Sequence, residues 1–278
     1  MKLKITTLSE NTAAAPDLLA EWGVCIHLET DEVSILLDAG QSISASFNAD
    51  ILGVDLRGVD KIVLSHGHHD HTGGLEGVLR KMRKEVEIIA HPDIWQAKYR
   101  RKEGLKDKYI GMPFQRLGLE SLGARFNLTK DAVKITDNIM TTGEIPMVTD
   151  FEEIPPTLCV KEGNRLIPDR LLDDQALVIT TELGLVVILG CGHHGLVNTL
   201  YHAQNLSGVK EINTVLGGCH LFDASEEQIS LTITALKELG VERIGVSHCT
   251  GMPATVLMAQ EFGDNFFYNN TGTIVDLP

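Results

Sequence analysis

The chain has 278 residues and a formal net charge of −14, with 38 acidic and 24 basic side chains. Its length allows one large α/β domain or two small ones, and such a chain buries enough apolar surface to need no disulfide bonds. An apolar content of 43% excludes a disordered chain. The strong acidity argues against a general nucleic-acid binder, whose affinity comes mostly from neutralised phosphates.

Two further patterns indicate a cytoplasmic protein. The apolar stretches are short, so none is predicted to span a bilayer, and the first residues become polar before a signal-peptide segment would form. The cysteines are odd in number and include no C-x-x-C pair; they are Cys25, Cys159, Cys191, Cys219 and Cys249. We therefore expect free thiols in a reducing cytoplasm and no association with a membrane.

Hydrophobic patterning predicts ten strands and five helices. In chain order the strands are Lys2–Thr7, Val24–Leu28, Val33–Leu37, Lys61–Ser65, Val86–Ala90, Ala176–Thr180, Leu185–Leu189, Ile212–Leu216, Arg243–Ser247 and Asn265–Tyr268. The helices are Leu75–Arg83, Pro92–Lys102, Leu196–Asn205, Glu226–Leu239 and Pro253–Phe262.

The order of these elements predicts a four-layer α/β fold. Each half begins with strands close in sequence and then alternates strands with helices, which favours two sheets packed face to face with helices outside, an αββα sandwich. Residues 102–156 are the least periodic and are punctuated by glycine and proline. We expect one domain over 1–278, with a loop-rich insertion near 102–156 that covers one face.

Ligand-type residues are concentrated after one predicted strand. His66, His68, Asp70 and His71 follow Lys61–Ser65 in the pattern His-x-His-x-Asp-His. Imidazole and carboxylate groups are good ligands for zinc and similar metals, and four of them in six positions predict a metal site. In a tight turn His66 and His68 would face one metal, and Asp70 and His71 a second position nearby.

A catalytic zinc usually has three protein ligands, so each pair needs a partner. Candidates follow three later predicted strands, at the carboxyl ends where α/β proteins place their ligand sites. Cys191, His193 and His194 follow the first of these strands, His220 follows the second and His248 follows the third. A lone histidine is more often a satisfied polar group than a ligand, but the cluster favours His193 and His248 as partners. His220 is either a ligand or a general acid, Cys191 is either a thiolate ligand or a small buried residue, and His194 is an alternative to His193. His69 lies between ligands and is expected to point away.

The segment Ser65-His66-Gly67-His68-His69-Asp70-His71-Thr72-Gly73-Gly74 resembles the signature of the metallo-β-lactamase superfamily, as does the turn Asp38-Ala39-Gly40. The resemblance extends over nearly the whole chain to one subgroup, proteins similar to 7,8-dihydropterin-6-methyl-4-(β-D-ribofuranosyl)aminobenzene-5′-phosphate synthase. The stretches that carry it include Ala20-Glu21-Trp22-Gly23, Thr142-Gly143-Glu144-Ile145-Pro146, Asp174-Gln175-Ala176-Leu177, Gly190-Cys191-Gly192-His193, Gly217-Gly218-Cys219-His220-Leu221 and His248-Cys249-Thr250-Gly251.

The resemblance implies an αββα fold with a two-metal site at one edge. By position, His66, His68 and His193 would hold the first ion, and Asp70, His71 and His248 the second. The superfamily often has an Asp that bridges both ions where this chain has Cys191. One or two divalent transition metal ions are expected, with zinc favoured and manganese or iron as alternatives.

The function expected from this machinery is hydrolysis of small, phosphorylated or otherwise anionic molecules, with metal-bound hydroxide as the nucleophile. Asp70 would orient the nucleophile, and His220 would act as a general acid. The alternatives are a transferase that condenses a dihydropterin pyrophosphate with an amine, and a non-catalytic metal or ligand sensor. Residues 80–108 carry ten basic and five acidic side chains, either a lip that steers an anion to the site or a solvated surface.

Overall fold

A computed structural model describes residues 2–278. The strands are β1 Leu3–Ser9, β2 Cys25–Thr30, β3 Ser34–Leu37, β4 Lys61–Val63, β5 Val86–Ala90, β6 Lys98–Arg100, β7 Lys108–Tyr109, β8 Ala124–Leu128, β9 Ile139–Thr141, β10 Leu158–Glu162, β11 Arg165–Pro168, β12 Ala176–Thr181, β13 Gly184–Leu189, β14 Ile212–Gly218, β15 Arg243–Ser247, β16 Phe266–Tyr268 and β17 Ile274–Leu277. The α-helices are α1 Ser44–Ile51, α2 His69–Thr72, α3 Leu75–Met82, α4 Arg116–Ser121, α5 Leu196–Ser207, α6 Glu226–Glu238 and α7 Met252–Phe262.

Two large mixed sheets form the centre of the molecule. The first has seven strands in the order β17-β1-β2-β3-β4-β5-β8, and the second has six in the order β16-β15-β14-β13-β12-β9. In each sheet the strands that carry the site loops run parallel, β3-β4-β5-β8 in the first and β13-β14-β15-β16 in the second. Their carboxyl ends provide the loops in which α/β proteins usually place ligand sites.

Three apolar layers confirm the predicted αββα sandwich. Side chains of both sheets meet in the central layer, as Ile5 and Leu28 of the first sheet do with Ile179 and Ile188 of the second. Helices α1 and α3 pack on the outer face of the first sheet, and α5, α6 and α7 pack on the outer face of the second. Inner strands such as β13 are covered on both faces, so they read as continuous apolar runs in the sequence.

The segment from Pro92 to Lys102 departs from the predicted helix. A short 3₁₀ turn at Pro92–Trp95 is followed by β6, which joins β10, β11 and β7 in a third, antiparallel sheet of four strands. The helix prediction was wrong because the pattern does not show that Lys98 is fully buried against two carboxylates. Tertiary contacts therefore override the local preference.

Residues 102–156 contain more regular structure than loops alone. Strand β8 completes one edge of the first large sheet and β9 completes an edge of the second, while α4 packs beside β8. Part of this segment therefore belongs to the two main sheets. Within residues 2–278, no helix has both the length and the apolar character needed to cross a bilayer.

Candidate metal centre

Four loops bring the predicted ligands to one edge of the sandwich. His66 and His68 lie on the loop after β4, and Asp70 and His71 lie in the short helix α2 that follows. The other loops follow β13, β14 and β15 and carry Cys191 with His193, then His220, and then His248. Thus one edge gathers the ligand candidates of the sequence prediction except His194.

The first donor set consists of His66, His68 and His193. His66 Nε2 lies 2.9 Å from His68 Nδ1 and 3.2 Å from His193 Nε2. Nitrogens that bind one tetrahedral zinc ion at about 2.0–2.1 Å lie about 3.3–3.4 Å apart, so the spacing suits a single ion. Burial lowers the pKa of His68 to about 3 and lowers the pKa of His66 and His193 well below the ordinary value. The three rings are therefore neutral and have lone pairs to offer.

Hydrogen bonds around Ser65 fix the tautomer of His66. The Ser65 hydroxyl donates to Asp38 Oδ2 over 2.7 Å, so its oxygen accepts from His66 Nδ1, 2.9 Å away. The only ring proton of neutral His66 is thereby placed on Nδ1. Its Nε2 lone pair points at His68 and His193, which is the arrangement that metal-bound histidines usually show.

The second donor set consists of Asp70, His71 and His248, whose ligand atoms lie within 4.8 Å of one another. His248 Nε2 lies 3.5 Å from Asp70 Oδ2, and Trp22 Nε1 donates to the same oxygen over 3.1 Å. Burial raises the pKa of the Asp70 carboxyl, but His71 and His248 lower that pKa more, so the group is an anion. This set therefore pairs one carboxylate with two imidazoles.

Both imidazoles of the second set are oriented by hydrogen bonds at Nδ1, the ring nitrogen that does not face the proposed metal position. His71 Nδ1 donates to Asp38 Oδ2 over 2.6 Å, and His248 Nδ1 donates to Asn11 Oδ1 over 2.9 Å. Burial lowers the pKa of His71, but Asp38 and Asp70 raise that pKa to about 9, so the position favours positive charge. His248 Nε2 is buried and has no hydrogen-bond partner, which is costly for a polar atom. A divalent cation supplies both the charge and the missing partner, so these residues fit a metal ion.

Two supports of the loops were not identified from the sequence. The Glu10 carboxylate accepts from the backbone nitrogen of His248 over 2.6 Å, across 238 positions of the chain. Asp173 Oδ2 accepts from the backbone nitrogen of Gly67 over 2.8 Å, and Asp173 Oδ1 pairs with buried Lys98 Nζ over 2.8 Å. No local pattern marks Glu10, Asp173 or Lys98, because each acts on a residue far away in the sequence.

Backbone conformation also marks the site. Among residues 2–278, five non-glycine residues have a positive φ, and three of them are at this edge: Asp38 (61°), His220 (45°) and His248 (53°). Such conformations cost about 1–3 kcal/mol each and concentrate at functional sites. No sequence motif predicted them.

The remaining candidates occupy different places. The His220 ring packs on His193 with a centroid distance of 4.2 Å, beside the first set. Cys191 Sγ lies 3.1 Å from His71 Nε2, and burial raises the pKa of this thiol well above its ordinary value. The ring of His194 is held by the carbonyl oxygens of Ile145 and Arg170, away from both sets. His69 Nδ1 contacts the Ile110 carbonyl oxygen at 3.2 Å, although its side chain still lines the cavity over the site.

A cavity of about 350 Å³ opens over both donor sets. Trp22, 51% exposed, and Phe222 provide aromatic surface on its walls. Of the ten basic residues in 80–108, Arg100 and Lys108 line this cavity, and Arg100 lies over the Phe222 ring at 5.2 Å and contacts Asp223 at 3.2 Å. A small molecule entering the cavity thus meets two cations at the wall and the donor sets at the floor.

Fold and site together define a metal-binding α/β sandwich with two adjoining donor sets. Residues 23–248 match the Metallo-beta-lactamase superfamily, and the chain belongs to that superfamily, whose members typically bind divalent metals.

The whole chain is similar to several known proteins. It is 34% identical over 287 residues to 7,8-dihydropterin-6-methyl-4-(beta-D-ribofuranosyl)-aminobenzene-5'-phosphate synthase of Methanocaldococcus jannaschii, covering 98% of this chain and 96% of that protein. An uncharacterized protein of the same organism is 31% identical over 274 residues, with 98% and 100% covered. The crystal structure of Tm1679, a metal-dependent hydrolase of the beta-lactamase superfamily, superposes with a TM-score of 0.85 at 26% identity and covers 99% of each chain.

Proposed function

We propose that this protein is a metal-dependent hydrolase that acts on small anionic molecules, phosphorylated ones above all. The observation that carries the proposal is the cavity whose floor holds two convergent donor sets and whose wall carries Arg100 and Lys108. Anionic groups are recognised by such cations, and hydrolytic metal centres need open space above the ligands. The relation to the synthase and the likeness to Tm1679 support an enzyme rather than a sensor.

In this proposal His66, His68 and His193 hold one divalent ion, and Asp70, His71 and His248 hold a second. Zinc suits these nitrogen and oxygen donors best, and manganese and iron are the other candidates. When bound, such ions lower the pKa of water and polarise an ester or phosphoryl oxygen.

The chain's own groups provide the rest of the chemistry. The Asp70 carboxylate, fixed by Trp22 Nε1, orients the attacking water. His220 lines the cavity beside His193, where it is placed to give a proton to the leaving group. Arg100 and Lys108 bind the substrate's anionic group at the wall and keep it from drifting out of the cavity.

The test compares two esters with the same aryl leaving group, one a phosphate monoester and the other an uncharged carboxylic ester. Arg100→Gln should raise KM for the phosphate ester about tenfold, because it removes a charge-assisted hydrogen bond, and should leave KM for the uncharged ester unchanged. Lys106→Gln is the matched control, since Lys106 lies in the same basic segment but not in the wall. Equal KM changes for both esters, or no turnover of any phosphate ester by the metal-loaded protein, would contradict the proposal.

A second candidate function is the condensation of a pterin pyrophosphate with an aromatic amine. The relation to the Methanocaldococcus synthase favours it, because it extends over 98% of this chain. The same cavity would then admit an amine in place of water. Product analysis of the pterin pyrophosphate with and without an aminobenzene ribotide distinguishes the two. A product with a new carbon–nitrogen or carbon–carbon bond, formed as pyrophosphate leaves, indicates a transferase. Release of pyrophosphate with the free pterin alcohol, and no coupled product when the ribotide is present, indicates a hydrolase.

A further inference from the structure

The thiol of Cys191 lies between the two donor sets. Its Sγ is within 4.8 Å of ligand nitrogens of His66 and His193 from the first set, and of His71 and His248 from the second. The side chain is 3% exposed, at the boundary between the buried rings and the cavity.

The backbone around Cys191 keeps the sulfur in this position. An added Cβ at Gly190 would lie 2.0 Å from Ser65 Oγ, so the strand end is pressed against the loop that carries His66. Gly192 has a φ of +60°, which turns the chain sharply after the cysteine. These two features fix the course of the backbone on either side of Cys191.

The measured contact suits a shared metal ion. His71 Nδ1 donates to Asp38, so its Nε2, 3.1 Å from Cys191 Sγ, faces the sulfur. For a zinc–sulfur distance of about 2.3 Å and a zinc–nitrogen distance of about 2.0–2.1 Å, a sulfur and a nitrogen on one tetrahedral ion lie about 3.5–3.6 Å apart, so a shift of a few tenths of an ångström would place both atoms on one ion.

We propose that the Cys191 sulfur is a ligand common to both metal positions and joins the two donor sets into one centre. This inference rests on the two-metal site of the proposed function. It assigns to a thiolate the role of the carboxylate that often bridges the ions in this superfamily. Metal loading would release the Cys191 thiol proton and the His71 Nε2 proton to solvent, and the sulfur would then bind as a thiolate. A thiolate at this position favours zinc over manganese, which prefers oxygen ligands.

The neighbouring Cys249 provides a matched control. Its Sγ donates to the Cys191 carbonyl oxygen at 3.5 Å and accepts from the backbone nitrogen of His220 at 3.3 Å. Cys249 Sγ also lies within 4.8 Å of the ligand atoms of Cys191 and His248, so it is the rival sulfur near the second set, and its replacement tests which of the two thiols binds metal. It contacts neither His66 nor His193 within the donor distances of the first set.

The experiment uses the full chain, stripped of metal and loaded with Co²⁺ alone. We expect a sulfur-to-cobalt charge-transfer band in the near ultraviolet for the native sequence and for Cys249→Ser, and loss of the band in Cys191→Ser. Cys191→Asp should also lack the band, yet still bind two equivalents of cobalt because a carboxylate restores the shared ligand. A band that survives in Cys191→Ser, or that Cys249→Ser abolishes, would overturn the proposal.

X-ray absorption at the zinc edge of the unmutated protein tests the sharing itself, and it needs no variant to fold. A bridging sulfur gives about one sulfur neighbour per zinc ion at about 2.3 Å, whereas a sulfur on one ion gives about half of that. About half a sulfur neighbour per zinc ion, or none, would contradict the bridging role of Cys191. Both measurements are independent of turnover, so an intact sulfur signal with no hydrolysis of any ester contradicts the proposed function and leaves this inference standing.

Discussion

The two donor sets differ in charge, spacing and support. The first consists of three neutral imidazoles, with contacts of 2.9 and 3.2 Å between their nitrogens. The second includes a carboxylate and is looser, with 3.5 Å between Asp70 and His248. Asp173 and Lys98 support the loop of the first set, while Asp38 and Asn11 hold the rings of the second. Asp38 also accepts hydrogen bonds from Ser65 beside His66, so it is common to both sets, whereas Lys98 and Asn11 allow each set to be weakened separately.

The largest effect is expected from breaking the first set directly. His66 Nε2 faces both other nitrogens of that set, so His66→Ala should abolish binding of one metal equivalent and lower turnover by more than about 100-fold. Elemental mass spectrometry of the purified protein measures the bound metal. His202→Ala is the control, because that ring bonds to the Thr142 carbonyl oxygen away from both sets. Retention of both equivalents by His66→Ala would show that His66 is not a ligand.

A smaller effect is expected from removing the cation below the first set. Lys98→Met leaves Asp169 and Asp173 buried together without their partner, which should lower the free energy of unfolding by about 3–5 kcal/mol. Urea denaturation of the metal-free protein measures it. The control Lys61→Met breaks a surface pair with Glu87 and should cost about 1 kcal/mol or less. An equal decrease in the free energy of unfolding in the two variants would mean that the buried ion pairs stabilise the fold no more than the surface pair does.

The smallest effect is expected from loosening the second set. Asp38→Asn weakens the hold on His71 directly and on His66 only through Ser65, so it should lower the affinity for the second ion by about 10–100-fold and the affinity for the first ion by less. A competitive chelator titration resolves the two affinities. Asparagine tolerates the positive φ of position 38, so backbone strain does not confound the result. Equal weakening of the binding of both ions would contradict this ranking and would show that the link through Ser65 matters as much as the direct bond to His71.

The sequence was informative where chemistry is local. Four ligand-type residues in six positions mark the metal site without any other part of the chain, and apolar runs such as Leu185–Leu189 identify buried strands. In the structure the ligand atoms of His66, His68 and His193 converge, and so do those of Asp70, His71 and His248. Whether these six residues bind metal stays a prediction for the experiments above.

The sequence was uninformative where a residue acts across the fold. The helical pattern of Pro92–Lys102 failed because burial of Lys98 between Asp169 and Asp173 is decided more than 70 positions later. Glu10 and His248 are separated by even more positions of the chain, and the periodicity of the sequence gives no signal for their hydrogen bond. The aromatic wall of the cavity was also not predicted: Trp22 and Phe222 line it, while Tyr99 and Tyr109 pack on each other at 5.3 Å.

The pairing of β1 with β17 has a consequence for the order in which the molecule folds during synthesis. Leu3 pairs with Leu277, so the outer strand of the first sheet is added only when the ribosome has finished residues at the other end of the chain. His248 likewise depends on Glu10 and Asn11, made far earlier. Contacts between such distant positions form slowly. We expect the nascent chain to assemble the first donor set before the second, because His248 is synthesised after His66, His68 and His193 and takes its support from Glu10 and Asn11.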